Sequence, residues 1–366
     1  MNHKLKIALL VPRYGLVDRG VENFTKEFVN YLKEDFDFEI YAWKSFTKNF
    51  KPPLQHTELE MFIFSLLSFP RLLFGNYDLI FPQNGMWGAI FARMIRALKG
   101  TPFIYRSAGG KEPMIVRQKP NIYIATTSEI KIWIEKFDSE QKVLLIPNGV
   151  DLKKFHSRPA LTRARRGRPA LPRGRPALPR GRPALPRGRL QRPVYLCVGA
   201  LIPAKRINLA INAVVKLKRG SLMVLGKGPL EMEIKSLGLK VLGRKRFVLK
   251  GVAYEKMSGY YQFADAFTLP SLEEPFGIVY LEAMASGLPV VAPDDETRRY
   301  IIGKGGQLCK VEDINEYSRI LESVIKKNFD GLPRAQAEKF SWNIISKKYS
   351  NIINTLVSAS GKNLGN

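Results

Sequence analysis

A chain of 366 residues, 45% of them hydrophobic, is long enough for two folded domains and excludes a wholly disordered protein. The net charge of +27 is of the size found in nucleic-acid-binding proteins. However, residues 158–192 contain twelve arginines, no lysine and no acidic residue, so they alone supply +12. Residues 1–157 and 193–366 carry only +6 and +9, which excludes a uniformly basic protein.

The first part of the chain alternates short apolar runs with helical patterns. An amphipathic helix is predicted at 21–34, where Phe24, Phe28 and Leu32 recur at helical spacing. A second helix is predicted at 87–100, where a glycine ends it. The predicted strands are 6–12, 38–43, 78–83, 102–107, 122–127 and 143–148. This alternation predicts an α/β domain with a doubly wound parallel sheet.

Residues 61–74, MFIFSLLSFPRLLF, are the most apolar segment. The segment is too short to span a bilayer, and Pro70 and Arg71 interrupt it. We interpret it as a buried helix and its turn; the alternative is an interfacial helix that touches a membrane. Residues 1–15 lack the long apolar segment and the cleavage site of a signal peptide. We expect a cytoplasmic protein, with peripheral contact with the inner face of the membrane as an open alternative.

The arginine-rich segment repeats the unit RPALPRG without a change, starting at Arg168, Arg175 and Arg182. Its frequent prolines exclude a helix and a central strand, so we expect an extended, exposed segment. Each RGRP also matches the core of an AT-hook, which binds the minor groove of A·T-rich DNA. No aromatic residues interleave the arginines, and no basic helix accompanies them. We therefore interpret 158–192 as a disordered insert and expect no specific nucleic-acid binding.

The alternation of strands and helices begins again after this insert. Helices are predicted at 205–220 and, near the end of the chain, at 342–358. The predicted strands are 194–200, 222–228, 247–252, 266–271 and 289–293. Cys197 and Cys309 lie in apolar, strand-like runs without CxxC spacing, so we expect reduced core residues and no metal site. The pattern predicts a second, Rossmann-like domain.

The segment 273–293, EEPFGIVYLEAMASGLPVVAP, combines two glutamates with the start of a helix. Seven residues separate Glu274 from Glu282, which is about 12 Å at most along a helix. The helix starts with the amides of Phe276, Gly277 and Ile278. Amides at a helix N-terminus form a favourable binding site, or seat, for a diphosphate. Carboxylates on either side of such a seat suit the hydroxyls at the two ends of a sugar nucleotide. The alternative is a surface helix with two solvated glutamates.

In this setting, EPFGIVYLE resembles the E-x7-E motif of retaining GT-B-fold glycosyltransferases of family 4. Further segments resemble motifs of the same family, in the same order, and the resemblance covers the chain except 158–192. These segments are RGVENF (19–24), IPNGVDLKKF (146–155), VGALIPAKR (198–206), LMVLGKGP (222–229) and FSWNIISKKY (340–349).

The resemblance implies the GT-B fold, in which two Rossmann-like domains with parallel sheets face each other across a cleft. Residues 1–157 are the implied acceptor-side domain, which the helix at 342–358 joins. Residues 193–341 are the implied nucleotide-sugar-binding domain, with the insert 158–192 between the two.

The family pattern also implies roles for individual residues. Glu274 is expected to bind hydroxyls of the donor sugar, and Glu282 those of the nucleotide ribose. Lys205 and Arg206 are expected to neutralise the diphosphate, because negative charge builds there as the glycosyl–phosphate bond breaks. The other residues implied in donor binding are Phe276, Gly277, Ile278, Gly20, Gly226, Gly228 and Val252. No metal ion or other cofactor is expected, because members of this fold generally lack one.

Two positions depart from the family pattern. Ala200 stands where arginine is common, and Arg206 is a candidate replacement for that cation. Ala108, within RSAGG, stands where many members have histidine, which we interpret as a variation in contacts to the acceptor.

The resemblance predicts an enzyme that moves a sugar from a UDP- or GDP-linked donor to a glycan or lipid-linked acceptor with retention of configuration. From this resemblance we expect a role in the synthesis of cell-surface polysaccharides or glycolipids. Two alternatives stay open at this point. One is a DNA- or polyanion-binding protein that acts through the RGRP repeats, and the other is an epimerase or phosphorylase of the same fold.

Overall fold

The computed structural model describes residues 4–16, 20–47, 57–83, 85–107, 110–156, 190–272 and 274–361. These residues belong to two compact units. The first unit contains Met1–Gly149 and Trp342–Asn366, and the second contains Val150–Ser341. The predicted insert 158–192 lies outside the described residues except for 190–192, and Ala108 lies outside them too.

The first unit is a doubly wound α/β structure with parallel strands. Its strands are β1 (Leu5–Leu10), β2 (Phe36–Tyr41), β3 (Leu79–Pro82), β4 (Ile104–Arg106), β5 (Ile122–Ala125) and β6 (Val143–Leu145). Its helices are α1 (Gly20–Leu32), α2 (Glu58–Phe74), α3 (Met86–Lys99), α4 (Pro113–Val116), α5 (Ser128–Phe137) and, at the end of the chain, α13 (Trp342–Ala359). The strand orders are β2-β1-β3 and β4-β5-β6, and a bridge between Ile80 and Phe103 links the two groups.

Helix α13 packs on α1 through aromatic side chains. The ring centroid of Phe24 lies 5.4 Å from that of Trp342, and the centroid of Phe28 lies 5.1 Å from that of Tyr349. Phe24 and Phe28 are one turn apart and both buried, as the helical spacing predicted. The last helix of the chain therefore shares the core of the first unit.

Helix α2 continues through Pro70, where the sequence predicted an interruption, and its C-cap is Gly75. Pro70 is exposed, so the carbonyl that loses its helical partner to this proline is on the outer side of the helix. On the inner side, the hydroxyls of Ser65 and Ser68 donate to carbonyls one turn earlier. The prediction of a buried helix broken at Pro70 is thus wrong: α2 is continuous and only one face is buried. No helix in the described part of the chain has the length and apolarity that a membrane crossing requires.

The second unit contains a six-stranded parallel sheet. Its strands are β7 (Val194–Val198), β8 (Ser221–Leu225), β9 (Phe247–Lys250), β10 (Ala266–Thr268), β11 (Val290–Pro293) and β12 (Gly306–Cys309). Its helices are α6 (Ile207–Val215), α7 (Glu231–Leu242), α8 (Met257–Phe263), α9 (Ile278–Ala285), α10 (Glu296–Ile302), α11 (Ile314–Lys326) and α12 (Leu332–Glu338).

The strand order of this sheet is β12-β11-β10-β7-β8-β9. The chain winds outward from β7 to β9 and then crosses to β10 on the other side of β7. This reversal between β7 and β10 is the topological switch point of a doubly wound sheet. Ligands bind such sheets in the crevice outside the carboxyl ends of the strands at this point.

The division between the two units falls inside the segment IPNGVDLKKF, earlier than the predicted boundary at 157. The amide of Val150 donates to the Phe340 carbonyl at 2.9 Å. Phe155 is buried in the core of the second unit, where its ring centroid lies 5.6 Å from that of Tyr261. Arg334 donates to the Phe155 carbonyl at 2.7 Å. The second unit therefore holds the later part of this segment.

Cys197 and Cys309 are free and buried, in β7 and β12. Burial raises the pKa of both thiols to about 12, so both stay protonated. They pack as apolar core residues.

Candidate functional site

Two predicted catalytic residues meet at the switch point of the second unit. Lys205 ends a short 3₁₀ turn, Pro203–Lys205, in the loop that follows β7. Glu274 lies in the loop that follows β10, the strand paired with β7. The Lys205 ammonium donates to a carboxylate oxygen of Glu274. Only 17% and 13% of these side chains are exposed, so the ion pair is largely shielded from water and its attraction is strengthened.

Gly277 connects this ion pair to helix α9. It is the N-cap of α9 and has a φ of +81°, in the left-handed region that favours glycine. A Cβ at this position would lie 2.5 Å from the Tyr280 ring and 3.0 Å from Cγ of Glu274. Phe276 is buried beside it, and Ile278 is the first residue of the helix. The three amides predicted as a diphosphate seat therefore lie at the N-terminus of α9, close behind the ion pair.

Glu282 lies in a different environment from Glu274. It is 4% exposed and accepts a hydrogen bond of 2.7 Å from the hydroxyl of Tyr261 on α8. Burial, with the nearby charge of Glu282, holds the pKa of Tyr261 well above its usual value, so the hydroxyl keeps the proton that it donates. Glu282 is thus a buried, oriented carboxylate, and the alternative of two solvated glutamates on a surface helix is wrong.

Arg206 and Lys205 pair with different acidic residues. Its φ of +48° is uncommon for a residue other than glycine, and it caps α6. Its guanidinium lies 3.6 Å from the carboxylate of Glu312, and more than a third of the side chain is exposed. The structure places Arg206 next to the site without bringing it to Glu274. Its predicted action on a diphosphate, in place of the exposed Ala200, stays a prediction.

Gly226 and Gly228, in the loop after β8, lie against the loop that follows β7. A Cβ on Gly226 would lie 1.9 Å from the carbonyl oxygen of Gly199, and one on Gly228 would lie 2.5 Å from that of Leu201. The two backbones therefore approach too closely for a side chain at either position, so packing requires glycine there. The sequence did not reveal this structural reason for the two glycines. Val252, half-buried just beyond β9, is at the same edge of the sheet. The predicted contacts of these residues with a base stay predictions.

Gly20 belongs to the first unit, as the first residue of α1. It is exposed, and a Cβ built on it would meet no atom of the described residues within 4 Å. Packing in the described part of the chain therefore does not require glycine at this position. Residues 17–19, just before it, lie outside the described residues. The predicted approach of this backbone to a diphosphate stays a prediction.

The first unit has a buried polar cluster at the carboxyl ends of β4 and β5, in sequence beside Ala108. Arg106 is 5% exposed, donates to the side-chain oxygen of Asn148 and lies 3.8 Å from the ring centroid of Phe24. Glu112 accepts hydrogen bonds from two tyrosine hydroxyls, and burial raises the pKa of its carboxyl group. The members of this cluster are scattered along the chain, so local sequence patterns did not reveal it.

Residues 187–343 match the family described as glycosyl transferases group 1. This matched region contains the ion pair, helix α9 and the Glu282–Tyr261 hydrogen bond.

Two curated relatives are similar to parts of the chain. Sulfoquinovosyl transferase SQD2 of Arabidopsis thaliana is 27% identical over 176 residues, 44% of this chain and 33% of that protein. D-inositol 3-phosphate glycosyltransferase of Geodermatophilus obscurus is 26% identical over 251 residues, 63% of this chain and 51% of that protein. The matched regions thus span between a third and a half of these relatives.

Solved structures match nearly the whole chain. Sucrose-phosphate synthase from Thermosynechococcus elongatus has a TM-score of 0.76 at 18% identity, over 97% of this chain and 100% of that one. Anabaena Alr3699/HepE in complex with UDP and glucose has a TM-score of 0.72 at 15% identity, over 96% and 100%. The chain therefore has the GT-B fold, as the sequence predicted.

Arg298, within the matched region, is a buried residue that the local sequence pattern did not reveal. It is 3% exposed, and its guanidinium donates to the Ser271 carbonyl at 2.8 Å. The Ser271 hydroxyl in turn donates to the Ala204 carbonyl at 3.0 Å. Arg298 and Ser271 thus tie the loop of Glu274 to the loop of Lys205. The run DDETRR looks like a solvated charged face, so only the tertiary structure revealed this role.

Proposed function

We propose that this protein transfers a sugar from a UDP- or GDP-linked donor to a glycan or lipid-linked acceptor, with retention of configuration. The observation that carries the proposal is the ion pair of Lys205 and Glu274 at the switch point of the region that matches glycosyl transferases group 1. A cation, a carboxylate and the N-terminus of α9 together suit a ligand with a diphosphate beside sugar hydroxyls. The fold of HepE, described in complex with UDP and glucose, supports such a donor.

The proposed reaction breaks the bond between the anomeric carbon and the diphosphate oxygen, and the electron pair stays on that oxygen. Lys205 and the amides at the start of α9 stabilise the added negative charge. The acceptor hydroxyl bonds to the anomeric carbon on the face that the diphosphate leaves, which preserves the configuration. Its proton passes to the leaving diphosphate. These protein groups supply positive charge themselves, and the proposal includes no metal ion.

Glu274 and Glu282 have separate proposed tasks. When the diphosphate reaches Lys205, it competes with Glu274 for the ammonium group. The Glu274 carboxylate then accepts hydrogen bonds from the donor sugar. Glu282 is proposed to accept hydrogen bonds from the ribose hydroxyls, and the Tyr261 hydroxyl, 2.7 Å away, orients its carboxylate.

Replacement of Glu282 by glutamine is expected to weaken nucleotide binding at least about tenfold, because hydrogen bonds to a charged acceptor are the stronger ones. The measurement is the rise in melting temperature of the full chain with UDP, GDP and their sugar conjugates, since a ligand of the folded state stabilises it. Tyr261→Phe keeps the carboxylate and loses only its orienting hydroxyl, so a smaller loss is expected.

A chain without residues 158–189 separates this function from polyanion binding. Under the proposed function, the deletion leaves nucleotide stabilisation and sugar transfer unchanged. If deletion of the repeat abolished both nucleotide stabilisation and sugar transfer, the proposal would be contradicted. It would also be contradicted if nucleotides raised the melting temperature of Glu282→Gln as much as that of the unchanged chain.

Replacement of Arg298 by methionine is expected to lower the turnover number about tenfold or more, since the loop that carries Glu274 loses an anchor. The Ser271 carbonyl then loses its buried donor. Arg299→Met is the matched control, because its side chain is 65% exposed and pairs with Asp294 away from this loop. A positioning role predicts that the turnover number of the Arg298 variant falls by a larger factor than its donor KM rises. Equal turnover in both variants would contradict it.

A further inference from the structure

The outer face of α2 carries a stripe of apolar side chains that the fold leaves in water. The exposed fractions are 66% for Leu59, 39% for Ile63, 48% for Leu66, 45% for Leu67 and 83% for Phe74. At about 100° per residue these five positions fall within an arc of about 100°. Pro70, also exposed, lies within the same arc. We call this stripe the α2 face.

Buried contacts beside the stripe fix the rotation of the helix, so the α2 face does not result from a loosely packed helix. Glu60, in the first turn, forms a buried ion pair of 2.5 Å with Arg13. The indole nitrogen of Trp43 donates to the same carboxylate at 3.2 Å. Phe64 is completely buried. Rotating the apolar stripe inward would break these contacts, and the anchored helix therefore presents it outward.

The apolar surface extends from α2 onto α3. Phe62 and Phe69 of α2 contact Trp87 and Phe91 of α3, with ring centroids 4.7 and 5.4 Å apart. Met94 and Leu98 follow on the same side of α3, and their exposed fractions are 43% and 63%. Exposed apolar surface that is contiguous over two helices is typical of an interaction site.

Charge around this surface selects the partner. Helices α2 and α3 together carry four basic residues and two acids, and the acids lie in the first turn of α2. These residues are Arg71, Arg93, Arg96, Lys99, the exposed Glu58 and the buried Glu60. Arg71 on α2 and Arg93 on α3 are both exposed. An apolar helix face bordered by cations suits a surface with an apolar interior and anionic head groups.

We propose that the protein binds anionic lipid bilayers through the α2 face, with Arg71 and Arg93 at the level of the head groups. A second copy of the chain suits this face less well, because a two-fold contact would bring the arginines of both copies into one interface, where like charges repel. The binding does not depend on sugar transfer, so failure of the proposed function would leave it standing.

The test uses the full chain and vesicles of phosphatidylcholine with or without phosphatidylglycerol. Leu66→Asp places a charge in the middle of the stripe and is expected to reduce partitioning onto the anionic vesicles at least about tenfold. Met232→Asp is the matched control, because Met232 is 83% exposed on α7 of the other unit. Both variants keep residues 158–189. Repeating the measurement at about 0.5 M salt screens the attraction of that arginine-rich segment.

A fluorescent label locates the contact. Leu66→Cys, labelled with an environment-sensitive dye, is expected to shift to the blue with anionic vesicles, whereas labelled Met232→Cys is expected not to shift. Equal partitioning of Leu66→Asp and Met232→Asp would overturn the proposal. It would also be overturned if sedimentation showed a dimer that Leu66→Asp dissociates, since the partner would then be a second copy.

Discussion

Replacement of Lys205 by methionine is expected to lower the turnover number for sugar transfer about 10³-fold, with a smaller change in donor KM. The side chain of Lys205 is 17% exposed, and its ammonium group donates to Glu274 at the switch point. In the proposed reaction its charge matters most when the bond to the diphosphate is breaking, so its loss raises the barrier more than it weakens ground-state binding. Steady-state kinetics with the donor that stabilises the chain measure the effect.

Two controls separate this effect from a loss of stability. Lys216→Met removes an exposed lysine at the far end of α6 and is expected to leave turnover unchanged. In Lys205→Met the carboxylate of Glu274 is largely buried without its cation, which destabilises the fold. Lys205→Met with Glu274→Gln removes both charges and is expected to recover stability but not turnover. Turnover that returns together with stability would rule out a direct role for the Lys205 cation.

The second large effect is expected at Gly277. Alanine there is expected to lower the free energy of unfolding of the second unit by about 2–4 kcal/mol. Part of this cost is the φ of +81°, and the rest is the Cβ that would lie 2.5 Å from the Tyr280 ring. The same Cβ would press on Glu274, so weaker donor binding should accompany the loss of stability.

Gly331→Ala is the matched control for this variant. Gly331 also caps a helix of the second unit with φ +77°, but a Cβ there would meet no described atom within 4 Å. Because only the positive φ opposes alanine there, the free energy of unfolding is expected to fall by about 1 kcal/mol. All four tryptophans belong to the first unit, so circular dichroism of the whole chain during urea unfolding is the suitable probe. Equal destabilisation by the two alanines would show that the contact with Tyr280 contributes nothing.

Local sequence patterns were sufficient for much of the fold and for part of the site. The predicted run 194–200 contains β7, and the predicted run 266–271 contains β10, because buried parallel strands are continuous apolar runs. The helix start at Gly277 followed from glycine and proline signals that act within a few residues. In contrast, β12 was missed, since GQLC is short and gains its strand structure by pairing with β11.

The sequence by itself determined the α/β class, the alternation of strands and helices, and the spacing of Glu274 and Glu282. These features depend on neighbours along the chain. Only the tertiary structure decided that Lys205 meets Glu274, while Arg206 points to Glu312. It also decided that Glu282 is buried against Tyr261 and that α2 keeps an apolar face in water. Burial, ion pairing and close backbone approach depend on which segments the fold brings together, and a linear pattern does not contain that information.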